Sequence, residues 1–147
     1  MVWLSASIFC LNHSRIGNYK QALKYYQLSL PIVRSFGNRY WEEKNLRNIG
    51  SIYYNLKQYD RALDYYQQAL SLTKKLDNLL NESKALNSVG VTYYALGDYS
   101  LAIKFFEEAL VIDRKIGDGT GIKITMDNID KARRALKAPK NGLLLEI

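Results

Sequence analysis

One cysteine, one histidine and two prolines in 147 residues remove several classes of protein at once. Cys10 alone cannot close an internal disulfide, which excludes the small secreted folds held by staples. Cys10 and His13 cannot supply a His/Cys metal cluster, because zinc takes about four ligands, mostly of those types. Two prolines and nine glycines are too few for a linker-rich or collagen-like chain. Mean hydropathy is −0.26 and no apolar run approaches ~18 residues, so no segment reads as a membrane span. The opening Met1-Val2-Trp3-Leu4 stretch has no basic residues ahead of it and no small-x-small site after it, so it reads as a packing helix and not an export signal. What is left is a soluble, cytoplasmic, mostly helical protein, and one of 147 residues is expected to form a single domain.

Hydrophobic residues make up 48% of the chain and charged ones 24%, enough for a core. The net charge of +7 is uneven: +5 over residues 1–40, +1 over 41–80, −2 over 81–120 and +3 over 121–147. Both ends are basic and the middle is nearly balanced. Such a charge favours an acidic partner but says nothing about the fold.

The sequence matches itself when shifted by 40 residues. Tyr19, Tyr59 and Tyr99 align, as do Ala22, Ala62 and Ala102, then Leu23, Leu63 and Ile103. Tyr25-Tyr26, Tyr65-Tyr66 and Phe105-Phe106 follow, and Gly50 aligns with Gly90 upstream. Eleven of the twelve tyrosines sit in this register, only Tyr40 standing outside it, which makes them packing residues rather than a base-stacking platform. A period of this length marks one supersecondary unit stacked on copies of itself.

Each unit reads as two helices. Leu46, Ile49, Tyr53 and Leu56 fall on one face of a 3.6-residue helix, and Ala62, Leu63, Tyr66, Ala69, Leu70 and Thr73 on one face of the next. Gly17-Asn18, Lys57-Gln58 and Gly97-Asp98 make the turns inside units, and Gly37-Asn38, Asp77-Asn78 and Gly117-Asp118 those between them. Short turns make successive helices antiparallel neighbours. Gly50 and Gly90 lie mid-helix, where glycine costs about 1 kcal/mol against alanine. That cost predicts close approach of another backbone at both positions. The expectation is seven helices and no sheet. Pro31, inside the second helix of the first unit, is expected to kink or split it.

Gly50, Tyr53, Ala62, Tyr66 and Ala69, repeated as Gly90, Tyr93, Ala102, Phe106 and Ala109, resemble the tetratricopeptide repeat signature. The first unit matches in its second helix, with Ser29 for the last Ala and Cys10 in place of the Gly. The period of 40 exceeds the usual ~34 and the closing Pro is missing, which resembles the long-repeat arrays of kinesin light chains, Pins-type scaffolds and bacteria. The resemblance implies an all-α, right-handed α-solenoid of antiparallel helix pairs: one domain over 1–138, repeats at about 1–38, 39–78 and 79–118, a capping helix at 120–137 and a tail at 139–147. Ile122, Met126, Ile129 and Leu136 are expected to face inward on the capping helix, and Lys123, Lys131, Arg134 and Lys137 outward.

No catalytic constellation stands out. Cys10 and His13 share a helix face, but they take the register of Gly50 and Tyr53, which are packing positions. Adjacent Glu42-Glu43 and Glu107-Glu108 point in different directions on a helix, and Asp60 and Asp64 complement a helix start. No phosphate loop or nucleophile elbow occurs. Neither a metal nor a cofactor is expected.

Binding is the better prospect. In the resembled family the first helix of each unit lines a concave groove, which implies Lys44, Arg47, Asn48, Ser51, Tyr54 and Asn55 from the second unit. The third gives Lys84, Asn87, Ser88, Val91 and Tyr94, the last helix Asp127, Asn128, Lys131 and Arg134, and the first Ser7, Ile8, Leu11, Ser14 and Arg15. None of these is required by the core periodicity. Asn48, Ser88 and Asn128 form a polar ladder suited to a peptide backbone. The chaperone-type carboxylate clamp is matched only by Asn48 and Lys84, with Ser88 at its Arg position. The leading reading is therefore a non-catalytic scaffold that takes an acidic protein or peptide segment in the groove. The alternative of a nucleic-acid-binding repeat rests on pI 9.4, but the basic groups form no continuous stripe. A third reading is a self-associating fragment of a larger repeat protein. There, apolar Trp3, Leu4, Ile8 and Leu11, or the tail Leu143-Leu144-Leu145, cover another copy.

Overall fold

The computed structural model describes residues 18–138. Over this span the chain forms six helices: α1 (Tyr19–Ser35), α2 (Arg39–Asn55), α3 (Tyr59–Lys75), α4 (Leu79–Leu96), α5 (Tyr99–Ile116) and α6 (Gly119–Lys137). Among the described residues there is no strand. The first of the seven expected helices, with Cys10 and His13, lies outside the described residues, as does the 139–147 tail.

The turns account for the helix ends. Asn38, Asn78, Asp98 and Asp118 each accept a hydrogen bond from the backbone N–H three residues on, at 3.0–3.2 Å, satisfying one orphan donor of the helix that follows. The residue before each cap sits in the left-handed region, where glycine carries no Cβ penalty: Gly37, Gly97 and Gly117 there, but Lys57 (φ 59) and Asp77 (φ 50) in the other two turns.

Each helix packs chiefly on its neighbours in sequence, giving an all-α helical-repeat solenoid. The buried rows run through Ala22, Tyr26 and Leu30 on α1, Leu46, Ile49 and Tyr53 on α2, Ala62, Tyr66 and Ala69 on α3, and Ala102, Phe106 and Ala109 on α5. The aromatic pairs repeat with the sequence. Tyr53 stacks on Tyr65 with ring centroids 5.5 Å apart, and Tyr93 on Phe105 at the same 5.5 Å. Tyr54–Tyr59 and Tyr94–Tyr99 repeat likewise at 5.4 and 5.2 Å.

Three expectations change. What approaches Gly50 and Gly90 is not another backbone but a ring: a Cβ built on Gly50 would lie 2.8 Å from Cδ1 of Tyr66, and one on Gly90 2.6 Å from Cε1 of Phe106. Glycine is needed because the large aromatic of the next helix occupies the space that a Cβ would take. Pro31 does not split α1, which runs unbroken through it with Pro31 on the exposed side. On α6 the inward face is Thr125, Ile129 and Ala132, while Met126 is 45% and Leu136 52% exposed. Spacing by three and four fixed a face there but not which side of it met α5.

Candidate functional site

The first helices of the units, α2, α4 and α6, carry the expected groove residues. On α2 the buried face comprises Glu42, Glu43, Asn45, Leu46, Ile49, Gly50, Ile52 and Tyr53. That leaves Lys44, Arg47, Asn48 and Tyr54 half-buried and Ser51 and Asn55 exposed on the remaining side. On α4, Lys84 and Tyr94 are exposed and Asn87, Ser88 and Val91 half-buried. On α6, Asp127, Lys131 and Arg134 are exposed and Asn128 half-buried. Ser7, Ile8, Leu11, Ser14 and Arg15 lie outside the described residues.

Several of these side chains are held from behind by the core. The Asn48 amide donates to the Tyr26 hydroxyl at 3.1 Å. Ser51 is near enough to the Tyr66 hydroxyl to lower its pKa, but burial of that ring outweighs this and pushes the value up to about 12. Asn87 donates to Thr125 Oγ1 at 2.9 Å and so ties α4 to α6. Ser88 instead donates to the Lys84 carbonyl of its own helix at 3.0 Å. Some of the expected groove residues are therefore built into the core by their polar groups, contrary to the expectation that the core needs none of them.

The charges separate into paired and unpaired sets. Arg47 Nε donates to Glu43 Oε1 at 3.0 Å, and Glu43 Oε2 accepts from Asn81 Nδ2 on α4 at 3.1 Å. Glu43 is buried to 1% exposure, so Arg47 is already neutralised where it stands on α2. Lys44 sits with its Nζ 4.6 Å from the centroid of the Trp41 ring. Lys84, Lys131 and Arg134 make no ion pair with a described residue. On the same helix, Glu42 accepts from Arg34 Nε at 2.8 Å and Arg39 Nη1 at 2.7 Å. Burial alone would raise the Glu42 pKa, but these two hydrogen bonds and the charges of both guanidinium groups outweigh it and hold the carboxyl below its ordinary value.

Sequence reasoning missed the buried polar groups. Asp113 of α5 is buried and accepts from the hydroxyls of Ser83 on α4 and Thr125 on α6, the latter at 2.9 Å. Asn45 donates to Ser29 across the α1–α2 contact at 2.6 Å, where the next unit has Ala69 and Ala85. The signal was in the register: Ser29 and Asn45 are both polar where their counterparts are both alanine, which marks a facing pair. No helix among the described residues is long and apolar enough to cross a membrane.

Comparisons with known proteins come down on the same architecture. A family model described as tetratricopeptide repeat matches residues 9–75 and, in a second placement, 41–115. No curated protein sequence matches the chain. Among solved structures, aspartyl phosphate phosphatase F of Bacillus subtilis superposes with a TM-score of 0.82 at 18% identity, over 92% of this chain and 37% of that one. A signal transduction ATPase with numerous domains and a tetratricopeptide repeat sensor, from Pyrococcus horikoshii, gives 0.80 at 24% identity, over 92% of this chain. This chain spans only 23% of that protein. The first TPR of Spaghetti (RPAP3), bound to an HSP90 peptide SRMEEVD, gives 0.72 at 18% identity, over 92% of this chain and 94% of that one.

Proposed function

We propose that this chain, which belongs to the tetratricopeptide repeat family, is a non-catalytic scaffold that holds an acidic protein or peptide segment along the face shared by α2, α4 and α6. Tetratricopeptide repeats are interaction scaffolds as a class, and repeat arrays offer extended surfaces for this purpose. The reading takes about 1–138 as one such domain, with its site formed by Lys44, Arg47, Asn48, Ser51, Tyr54, Asn55, Lys84, Asn87, Ser88, Tyr94, Asn128, Lys131 and Arg134. What supports it is that Lys84, Lys131 and Arg134 are exposed and make no ion pair with a described residue, while Asn48 and Asn87 on α2 and α4 are hydrogen-bonded from behind. Cations supply attraction to carboxylates, and fixed amides bond an extended backbone without first losing rotamer freedom. The HSP90 peptide SRMEEVD of the Spaghetti complex, with three acidic residues to one arginine, is a ligand of this chemistry in a similar fold.

Acidic and neutral peptides, and single- and double-stranded nucleic acid, are titrated against labelled protein across a salt series. The double variant Lys84→Glu/Lys131→Glu is compared with Lys24→Glu/Lys104→Glu, which makes the same charge change on the second helices. Acidic peptide is expected to bind, to weaken with salt, and to lose roughly tenfold in affinity in the first variant only, in keeping with about 0.2–1 kcal/mol per exposed pair. Equal losses in both variants, or tighter binding of nucleic acid with a steep multi-phosphate salt slope, would refute the reading.

A further inference from the structure

The first helices α2 and α4 each end on two adjacent tyrosines that are used differently. Tyr53 and Tyr93 stack nearly parallel on Tyr65 and Phe105, with 18° and 9° between the ring planes. Tyr54 and Tyr94, one residue on, meet Tyr59 and Tyr99 of the following helix at 57° and 54°. A tilted partner covers less of a ring face than a stacked one, and Tyr54 is half-buried and Tyr94 37% exposed. The partner ring still braces each of them, so its direction is set before a ligand arrives.

Tyr54 shares a helix face with Arg47 and Ser51, and Tyr94 with Asn87 and Val91, at spacings of three and four. The same register on α6 runs through Lys131 to Arg134. Tyr54, Tyr94 and Arg134 therefore form one row across three helices, two rings followed by a cation. The helices are direct neighbours: Glu43 on α2 accepts from Asn81 on α4, and Asn87 on α4 donates to Thr125 on α6. Axes of packed helices lie about 8–10 Å apart, and that distance is the step of the row.

We propose that the partner segment is a polyproline II helix with proline at one position, proline again three residues on and an acidic residue three further on, read by Tyr54, Tyr94 and Arg134 in that order. This rests on the groove reading above and adds the conformation and sequence period of the partner. A polyproline II helix rises about 3.1 Å per residue and turns once in three, so one of its edges repeats every ~9.3 Å. A strand returns to one side every ~6.6–6.8 Å and an α-helix every ~5.4 Å, neither of which is one step of the row. Aromatic faces take the pyrrolidine ring by apolar contact, and the segment arrives already ordered, so little entropy is lost on binding. The third contact is ionic: Arg134 is exposed and makes no ion pair with a described residue, and Lys131 stands one turn back on the same face.

Three labelled peptides of equal length and charge are titrated against the full chain. They are Ser-Glu-Pro-Glu-Ser-Pro-Glu-Ser-Glu-Ser, an isomer with its two prolines adjacent, and a form with both prolines replaced by alanine. The first is expected to bind at least fivefold tighter than the other two. Tyr54→Ala/Tyr94→Ala should abolish that preference and leave the alanine peptide within twofold of its wild-type affinity, whereas Tyr40→Ala, outside the row, should leave the preference intact. Equal affinities for the three peptides would overturn the inference and leave the groove reading standing. Binding of none of them would refute the groove reading and this inference with it. A measurement on the unaltered chain needs no variant to fold: nuclear Overhauser contacts are expected from the two prolines to the rings of Tyr54 and Tyr94. Contacts to neither ring, or a bound peptide that is helical, would overturn the inference equally.

Discussion

The side-chain amide of Asn48 on α2 donates to the hydroxyl of Tyr26 on α1 at 3.1 Å, joining a residue of the candidate groove to one of the most deeply buried rings of the core. The corresponding ring in the third unit, Phe106, has no hydroxyl, so Asn128 in the register of Asn48 has none opposite it. The polar ladder of the sequence is thus anchored differently at each rung. Tyr26→Phe and Asn48→Ala are each expected to cost about 0.5–1.5 kcal/mol. The double variant should cost less than the sum, because both remove one bond. Urea denaturation of the four proteins measures the coupling.

A ring lying on a glycine leaves no room for a methyl group. Gly90→Ala is expected to destabilise by about 1–3 kcal/mol, since its Cβ would meet the Phe106 ring at 2.6 Å. Gly90→Leu should prevent folding. Lys84→Ala, on the exposed side of the same helix, should change stability by less than about 0.5 kcal/mol. If the strain is in that contact, Phe106→Leu should recover part of the loss in the Gly90→Ala background, as thermal melts will show.

Glu42 makes stability depend on acid. Its folded pKa lies below its ordinary value near 4.5, so the unfolded chain takes up its proton first as pH falls. Its contribution is complete above about pH 5 and is lost as pH drops through the unfolded value and then the lowered folded one. Glu42→Gln is expected to cost about 1 kcal/mol at pH 7 by breaking charge-assisted bonds to two half-exposed arginines, and to flatten the stability profile below pH 5. Urea midpoints measured from pH 7 to pH 3 decide it.

Tyr66 does the reverse at the alkaline end. With its folded pKa raised by burial to about 12, its stabilising effect is complete below pH 10 and is lost as pH rises through 12. An ultraviolet titration should show one tyrosine ionising about two units late or together with unfolding. Tyr66→Phe should remove that step.

Lys57 and Asp77 hold left-handed backbone that glycine occupies in the three other described turns. Replacing either by Gly relieves a Cβ penalty of about 1–2 kcal/mol, partly offset by about 0.4–1 kcal/mol of added freedom in the unfolded chain. A rise in Tm of a few degrees is expected for Lys57→Gly. A fall would mean that its side chain contributes something the turn geometry does not reveal.

The repeat made most of the architecture legible, because a residue that recurs in register reports its role three times. The helix pairs, the buried rows and the caps at Asn38, Asn78, Asp98 and Asp118 follow that rule, whereas the register marked Gly50 and Gly90 as close contacts without showing that a ring makes them. Where apolarity is followed in place of the register, the reading fails: Leu136 takes the position of Leu56 and Leu96, 37% and 45% exposed in their own units. Thr125 is inward on α6 because it holds the position of buried Asn45 and Ala85, and there its hydroxyl donates to the buried Asp113 carboxylate. Glu43 was legible as a charge but not as a buried one, since its counterpart Ser83 gives no hint of a carboxylate. Pro31 reads as a breaker in one dimension, yet α1 continues through it with Pro31 on its exposed side.

Because each helix leans chiefly on its immediate neighbours in the chain, the molecule behaves mechanically as a short spring rather than a solid block. Little ties α1 and α2 to α5 and α6, so a pull on its two ends loads the joints in series and opens the weakest first. A segment held along α2, α4 and α6 spans those joints. It would resist their opening as a splint does, and its grip would show as a higher force at the first rupture.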